Sequence, residues 1–400
     1  MRVLHLTPEY PPVIWGGLGT AVGGLVTASA RAGISVGVLL VGGVLLVGER
    51  SYGSPWQPVP VEHIVSEQPV IDAQGVIFFH VSPLDAVEAG IRLVRQWRPD
   101  VIHLHTAWLW SVARAIQEQT GTPIVFTVHS LDRAEYQIGQ LPVQWEVQEV
   151  VIAAAARVIA LSRSERELLA HYCPAAQDRV RIVGNGIDDD TAARAVAYRT
   201  RRSESPLVLY TGRFVERKGI RELLTAIPHV LERVPTARFV LVGGYGGGAE
   251  IERRWLVDAL RPWQTQVHFT GWLAPREVAN WYCAADILVV PSWYEPFGMV
   301  ILEGMLYGLS IAESAVGGPA EILEHGRTGL LFPPRDVGAL AAAIVKLLSD
   351  PDLRRRINAA AADEVRSKWL WPHIVEKMRI VYREAIHAGP QNIPRAAQIN

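Results

Sequence analysis

The stretch ILVVPSWYEPFGMVILE, from Ile287 to Glu303, contains an apolar run, a turn and a second apolar segment. Its first four residues are apolar and predict a buried parallel strand, while the residues from Val300 onward predict a helix. Pro296 and Gly298 interrupt regular structure between the two. In an open α/β sheet, ligands bind at such a junction, beyond the carboxyl ends of the strands. The stretch therefore predicts a binding loop.

Two carboxylates flank this loop, Glu295 within it and Glu303 in the predicted helix. A helix that begins near Gly298 points unpaired N–H groups toward an anion such as a phosphate. Taken alone, the stretch is equally compatible with a surface turn that carries two solvated glutamates. The rest of the chain has to decide between these interpretations.

The length of 400 residues predicts about two domains, because a single hydrophobic core rarely holds so many residues. The net charge of −1 and the lack of a long basic run disfavour a nucleic-acid-binding protein. The two cysteines, Cys173 and Cys283, predict neither a disulfide framework nor a zinc site. Without a signal peptide's apolar core at the start, we expect a cytoplasmic protein. Peripheral membrane contact stays open, although no strongly basic amphipathic helix supports it.

Strand and helix patterns alternate along the first half, which predicts a parallel sheet with helices on both faces. Its predicted strands are Val3–Leu6, Val36–Leu40, Val76–Phe79, Val101–Leu104, Ile124–Val128, Arg157–Leu161 and Val180–Val183. Ser162 and Glu165 have the spacing of a helix capping box.

A polar segment from Arg199 to Pro206 predicts a linker, after which the alternation resumes. The strands predicted here are Leu207–Tyr210, Arg238–Val242, Val267–Phe269, Ile287–Val290 and a last short one near Ser310–Ala312. We therefore predict an α/β fold of two facing, doubly wound, Rossmann-like parallel-sheet domains with a cleft between them. The predicted domains are residues 1–200 and 206–370, followed by a helix at 371–388 and a tail at 389–400.

A glycine-rich loop, Gly16-Gly17-Leu18-Gly19, lies between the first strand and a predicted helix. Such a loop lets backbone amides approach a phosphate closely, although it matches neither the Walker nor the GxGxxG spacing. A tight strand–helix turn is the plain alternative. His105 and His129 follow two other strands, where a lone histidine is at least as often structural.

Together these residues resemble the retaining nucleotide-sugar glycosyltransferases of the GT-B type, which have two facing Rossmann-like domains. More narrowly they resemble the large glycosyltransferase family 4, which includes sucrose synthases and bacterial mannosyl- and glucosyltransferases. The resemblance covers nearly the whole chain, and Glu295 and Glu303 framing Pro-Phe-Gly are its most specific part. The other matching positions are Gly212–Phe214, Lys218–Gly219, Gly317–Gly318, Glu321, the first glycine-rich loop and His129.

The resemblance implies a role for each matched residue. Arg213 and Lys218 would neutralise the departing nucleoside diphosphate. Glu295 would contact the transferred sugar, Glu303 would accept hydrogen bonds from the ribose, and His129 would lie near the sugar C6 hydroxyl. The remaining donor-binding positions are Gly16, Gly17, Leu18, Gly19, Gly243, Gly244, Pro296, Phe297, Gly298, Met299 and Val300. The helix at 371–388 would cross back onto the amino-terminal, acceptor-side domain.

The implied reaction moves a hexosyl group from a nucleoside-diphosphate sugar to a hydroxyl acceptor with retention. In the same-face mechanism the departing phosphate oxygen helps to take the acceptor's proton. Double displacement would instead need a carboxylate nucleophile, for which Glu295 is the candidate. Because no Asp-x-Asp motif ends a strand, we expect no essential metal, and no cofactor beyond the substrate donor.

Two other enzyme functions and one non-enzymatic function remain as alternatives. The first loop is also similar to that of glycogen and starch synthases, which favours glucan synthesis from ADP- or UDP-glucose. Those enzymes have a lysine where this chain has Ile14. Ser310 and Glu313 replace the proline and the small residue that are usual in relatives. A nucleotide-sugar 2-epimerase and an inactive sugar-binding scaffold are the remaining alternatives.

Overall fold

The computed structural model describes residues 1–11, 14, 16–42, 70–71, 75–139, 145–189, 205–244 and 260–391. By its internal contacts the chain forms two compact units, and the second contains Ile187–Leu370. The first combines the described residues up to Gly186 with the terminal segment that begins at Trp371. Residues 199–204 of the predicted linker and 392–400 of the predicted tail lie outside the described residues.

The first unit contains one sheet with the strand order β3-β4-β2-β1-β5-β6-β7-β8. Its strands are β1 (Arg2–Thr7), β2 (Ser35–Val41), β3 (Val70–Ile71), β4 (Ile77–Val81), β5 (Val101–Leu104), β6 (Ile124–Val128), β7 (Arg157–Ala160) and β8 (Val180–Ile182). All pairings are parallel except that of β3 with β4. The strand order reverses direction between β1 and β5, which is the topological switch point of this sheet.

The second unit contains a parallel sheet with the order β11-β10-β9-β12-β13-β14. Its strands are β9 (Leu207–Thr211), β10 (Arg238–Val242), β11 (Val267–Gly271), β12 (Ile287–Val290), β13 (Ser310–Ser314) and β14 (Leu330–Phe332). This is a doubly wound order with its switch point between β9 and β12. The loops that follow these two strands therefore meet where such sheets bind ligands.

Helices connect the strands in both units. The described helices are α1 (Gly17–Arg31), α2 (Ala86–Trp97), α3 (Trp110–Thr120), α4 (Asp132–Gln137), α5 (Trp145–Ala154), α6 (Arg163–Tyr172), α7 (Ile220–Arg233), α8 (Pro275–Ala284), α9 (Met299–Leu306), α10 (Pro319–Ile322), α11 (Val337–Ser349), α12 (Pro351–Lys368) and α13 (Trp371–Ala388). The predicted cap of α6 is present, since the Ser162 hydroxyl accepts a 3.1 Å hydrogen bond from the Glu165 N–H. Among the described residues, no helix is both long and apolar enough to cross a membrane.

The core of the second unit explains why its strands could be predicted. All four residues of β12 are buried, as expected for a parallel strand covered on both faces. α7 buries Ile220, Leu224 and Ile227 at helical spacing, in the same apolar cluster as residues of α11. Each such side chain contributes about 1.5–3 kcal/mol of burial free energy.

The prediction of two parallel-sheet α/β domains is confirmed, and every predicted strand is present. The prediction that Ser310–Ala312 is the last strand was wrong, because Leu330–Phe332 adds β14 at the edge. The two-residue β3 was also missed, since strands this short carry no readable alternation. α8 was missed as well. It begins at Pro275, where Glu277 accepts a 2.9 Å hydrogen bond from the Ala274 N–H.

Candidate active site

The predicted binding loop joins β12 to α9, which begins at Met299. Gly298 has a φ of 96°, a left-handed conformation that favours glycine, and it directs the chain into the helix. α9 has no acidic residue in its first turn, and helix geometry leaves the first N–H groups without intrahelical acceptors. The backbone at Met299 and Val300 therefore has the geometry that an anion site needs.

A second loop, which follows β13, holds the backbone of the binding loop in place. The Gly318 N–H donates a 3.0 Å hydrogen bond to the Glu295 carbonyl. Gly317 has a φ of 50°, and a Cβ atom there would collide with the same carbonyl. The paired glycines predicted at Gly317–Gly318 thus let the two loops approach closely, which fixes the backbone from which the Glu295 side chain extends.

Glu295 forms an ion pair with Lys218, whose Nζ donates a hydrogen bond to Oε2 of the carboxylate. The two residues lie in the loops after β12 and β9, the neighbouring strands on either side of the switch point. Their side chains are only 11% and 21% exposed, respectively. The fold therefore brings two predicted site residues, 77 positions apart, into direct contact at the ligand-binding edge of the sheet.

The turn that carries Lys218 is held against the binding loop by backbone contacts. The Trp293 N–H donates a 2.7 Å hydrogen bond to the Arg217 carbonyl. Gly219, which immediately precedes α7, has a φ of 64°, and a Cβ atom there would collide with the carbonyl oxygen of Pro291. Only glycine fits this position without displacing the backbone, which explains why glycine follows Lys218.

The electrostatic surroundings keep the Glu295 carboxyl ionised. Burial raises its pKa, but the positive charges of Lys218, Arg217 and Arg213 together with the Lys218 hydrogen bond bring the pKa below its ordinary value. Arg213 and Lys218 were predicted from the sequence, whereas the buried Arg217 was missed. Arginine next to lysine in an exposed-looking charged turn gave no signal of burial.

Arg213 follows β9 in a loop that is tied to the end of β10. The Phe214 N–H donates a 2.8 Å hydrogen bond to the Gly244 carbonyl. Gly243 has a φ of 131°, and a Cβ atom there would collide with the Gly212 carbonyl. The predicted residues Gly243 and Gly244 thus lie beside the loop of Arg213, which is exposed.

Glu303 lies in α9 and is bound by a residue that sequence reasoning missed. The Tyr282 hydroxyl, from α8, donates a 2.7 Å hydrogen bond to Oε2 of Glu303. Tyr282 is buried and stacks on Tyr307 with ring centroids 5.1 Å apart. Burial raises the Glu303 pKa, and the hydrogen bond from Tyr282 opposes this shift. Nothing in the sequence indicated Tyr282, because the helix that positions it was not predicted.

In the first unit, the predicted glycine-rich loop forms the start of α1. Cβ atoms added at Gly16 and Gly17 would meet nothing within 4 Å, and both glycines are exposed. The Gly19 N–H is bound instead by the carboxylate of Glu9, at 3.2 Å from Oε2. Glu9, which sequence reasoning also missed, therefore occupies one amide of the turn that was predicted to bind phosphate.

His129 is the end of a chain of hydrogen-bonded imidazoles. Its Nε2 lies 3.1 Å from Nδ1 of His105, whose Nε2 lies 2.9 Å from Nδ1 of His5. Burial lowers the pKa of His129 to about 4 and that of His5 to about 3, so both are neutral near pH 7. Each of these two hydrogen bonds then contains one proton. All three rings must therefore carry their proton on the same nitrogen, either all on Nδ1 or all on Nε2.

His103 packs against this chain and completes a buried cluster. Nitrogen atoms of His5, His103 and His105 lie within 4.8 Å of one another, close enough to hold a metal ion. Both nitrogens of His103 are already hydrogen-bonded, to the Tyr382 hydroxyl at 2.8 Å and to Thr127 Oγ1 at 2.7 Å. The contacts thus favour a hydrogen-bonded network over a metal centre.

Two family descriptions match most of the chain. Residues 15–191 match Glycosyltransferase Family 4, and residues 205–350 match Glycosyl transferases group 1. The first match lies mainly in the first unit, and the second lies within the second unit.

Individual proteins match over nearly their full length. A glycogen synthase from Mycobacterium tuberculosis is 30% identical over 424 positions, which cover 99% of this chain and 97% of that protein. An alpha-maltose-1-phosphate synthase from Mycolicibacterium smegmatis is 29% identical, covering 96% and 99%, respectively. The structure of a sucrose-phosphate synthase from Thermosynechococcus elongatus superimposes with a TM-score of 0.74 at 26% identity, covering 97% of this chain and 100% of the other.

Proposed function

This chain belongs to the family 4 nucleotide-sugar glycosyltransferases of the GT-B fold, and we propose that it moves a hexosyl group to a hydroxyl acceptor with retention. The family and the class of reaction agree with the sequence prediction. The retaining course, the donor, the acceptor and the role of each residue form the proposal.

The observation that carries the proposal is the ion pair of Lys218 and Glu295 at the switch point of the second sheet. A nucleoside-diphosphate sugar presents negative oxygens beside neutral hydroxyl groups. The ammonium of Lys218 suits the diphosphate, and the ionised carboxylate of Glu295 suits sugar hydroxyls, to which it accepts hydrogen bonds. The exposed Arg213 and the first amides of α9 supply further positive potential for the leaving group.

Glu303 suits the ribose of the donor. Its Oε2 is held by Tyr282, which orients the carboxylate from one side. A ribose supplies two neighbouring hydroxyl donors, and a carboxylate accepts from both. We therefore assign Glu303 to the nucleoside and Glu295 to the transferred sugar.

His129 is assigned to the C6 hydroxyl of the sugar. Its Nε2 is engaged with His105, which leaves Nδ1 as the nitrogen for substrate. Because burial lowers its pKa to about 4, His129 acts as a neutral hydrogen-bonding group near pH 7.

Retention follows most simply from same-face transfer. The bond from the anomeric carbon to the phosphate oxygen breaks, the acceptor oxygen bonds to the same face, and its proton passes to the departing phosphate oxygen. Double displacement would need Glu295 as nucleophile. The positive charges around Glu295 lower its basicity and so make it a weaker nucleophile. They support same-face transfer.

Glucan synthesis from ADP- or UDP-glucose is the second candidate. Its support is the similarity to a glycogen synthase and to an alpha-maltose-1-phosphate synthase over nearly full length. Against it stands Ile14, whose apolar side chain lies 3.2 Å from the Cβ position of Gly19, where glycogen and starch synthases have a lysine.

A donor screen tests the proposal. Thermal unfolding of the purified protein is measured with UDP-, GDP- and ADP-sugars, and the stabilising donors are then assayed for hydrolysis and for transfer to glycans and small glycosides. We expect one nucleotide class to stabilise the protein and to be hydrolysed slowly without acceptor, with retained configuration in the transfer product. An inverted product would overturn retention. Conversion of the donor to its 2-epimer would show that the protein is an epimerase and not a transferase.

A further inference from the structure

Glu313 is a buried acid that has no role in the reaction proposed above. It lies on β13, one residue before the end of the strand, and it is fully buried. Within the described part of the chain, neither oxygen of its carboxyl group has a hydrogen-bond partner. An ionised carboxylate is very unfavourable in such a place. Burial accordingly raises the Glu313 pKa well above its ordinary value, so the group retains its proton.

The position of Glu313 in the sheet places it beside the binding loop. In the strand register it pairs with Val290, the last residue of β12, from which the binding loop departs. Side chains alternate along a strand, so Glu313 shares a face with Ile311. Ile311 lies against Gly304 of α9. Glu313 is therefore on the face that α9 covers, nearer to the carboxyl ends of the strands.

Two charged groups act on Glu313, and they are the two members of the ion pair. The carboxylate of Glu295 raises the Glu313 pKa, whereas the ammonium of Lys218 lowers it. Glu313 is thus influenced by both charges of the Lys218–Glu295 pair. With Glu313 protonated, it adds no charge to that neutral pair.

Donor binding changes the charges that surround Glu295 and Glu313. If Lys218 turns to the diphosphate, Glu295 loses the only hydrogen-bond donor that the structure shows for its side chain among the described residues. Arg217 and Arg213 still lower the Glu295 pKa. The neutral acid of Glu313 is a nearby group with an uncommitted proton.

We propose that Glu313 is a positioning residue for Glu295: its neutral carboxyl group donates a hydrogen bond to the Glu295 carboxylate when Lys218 binds the donor diphosphate. This role rests on the proposed function of the Lys218–Glu295 pair. The proton stays between the two carboxyl groups, so no net transfer occurs. The shared proton keeps Glu295 oriented toward the sugar while its charge remains available to accept hydrogen bonds.

The protonation of Glu313 is tested without substrate, by comparing wild type with Glu313→Gln in thermal unfolding from pH 5 to pH 9. In the unfolded chain, the acid loses its proton near its ordinary pKa, whereas in the folded protein it retains it. The stability of wild type relative to the variant should therefore fall as the pH rises. Glu324→Gln, an exposed carboxylate paired with Arg327, serves as the control and should show no such trend. A difference that does not change with pH would mean that Glu313 is ionised and would overturn the proposal.

The positioning role is tested by kinetics with the donor found in the screen. Glu313→Leu removes the donated hydrogen bond. Because loss of a hydrogen bond to a charged group typically has such an effect, kcat/KM should fall about ten- to hundredfold. We expect the wild-type rate to decline at alkaline pH, when Glu313 ionises. Glu313→Gln retains an N–H donor, so it should remain active and should not show this decline. Wild-type kinetics in Glu313→Leu, or an unchanged alkaline decline in Glu313→Gln, would overturn the role. If wild type itself transfers no sugar, the proposed function fails instead. Should the leucine variant not fold, the pH profile of the glutamine variant still decides.

Discussion

Tyr282 donates a 2.7 Å hydrogen bond to Glu303 and lies 2.9 Å from Thr211 Oγ1. Since a tyrosine hydroxyl has one proton, which goes to the carboxylate, Thr211 is the donor in the second contact. The end of β9 is thereby connected to α9 through α8. The carboxylate assigned to the ribose is thus oriented by two residues that do not adjoin it in sequence.

Tyr282→Phe should weaken donor binding with little effect on the chemical step. Loss of one hydrogen bond corresponds to about 1 kcal/mol, or about a fivefold rise in the donor KM, with kcat nearly unchanged. Steady-state kinetics at varied donor concentration measure the split. The exposed Tyr136→Phe is the matched control. A fall in kcat with an unchanged KM would show that Glu303 does not contribute to ground-state binding of the nucleoside.

Gly219→Ala should reduce both stability and activity. A residue with a Cβ atom at a φ of 64° lowers the free energy of unfolding by about 1–2 kcal/mol. Here the added atom also collides with the Pro291 carbonyl. Gly326→Ala is the control, because its φ is 78° but nothing lies within 4 Å of the added atom. The melting temperature should fall further in Gly219→Ala, and only this variant should lose transfer activity. Equal effects would show that the close contact with Pro291 is unimportant.

The buried histidines should make the first unit sensitive to acid. In the unfolded chain they bind protons below about pH 6.5, but in the fold the pKa of His129 is about 4 and that of His5 about 3. The free energy of unfolding should therefore decrease as the pH falls from about 6.5 toward these values.

His5→Asn should lessen this acid sensitivity, because an amide can replace the Nδ1 contact with His105 and does not titrate. Melting temperatures between pH 4 and pH 7 measure the effect, with the exposed His171→Asn as control. An acid response equal to that of wild type would mean that His5 does not contribute to it.

The sequence predicted every strand of the two sheets except β3 and β14, and it named candidate site residues such as Lys218 and Glu295, because apolar runs and glycine turns are local signals. It could not predict that Lys218 contacts Glu295, since that contact depends on the order of strands in the sheet. The same limit applies to His5, whose role comes from its neighbour His105 across the β1–β5 pairing. Glu313 was noted only as an unusual residue, because burial of an acid cannot be read from its identity.

If Lys218 and Glu295 form the donor site, Lys218→Ala should show it in kcat/KM with the nucleotide sugar that wild type uses. Loss of an oriented charge on the leaving group should lower kcat/KM by about a hundred- to a thousandfold, while the protein still unfolds cooperatively. Lys346→Ala, an exposed lysine of α11, should match wild type. A Lys218→Ala enzyme with near wild-type kcat/KM would show that Lys218 does not act on the donor's leaving group.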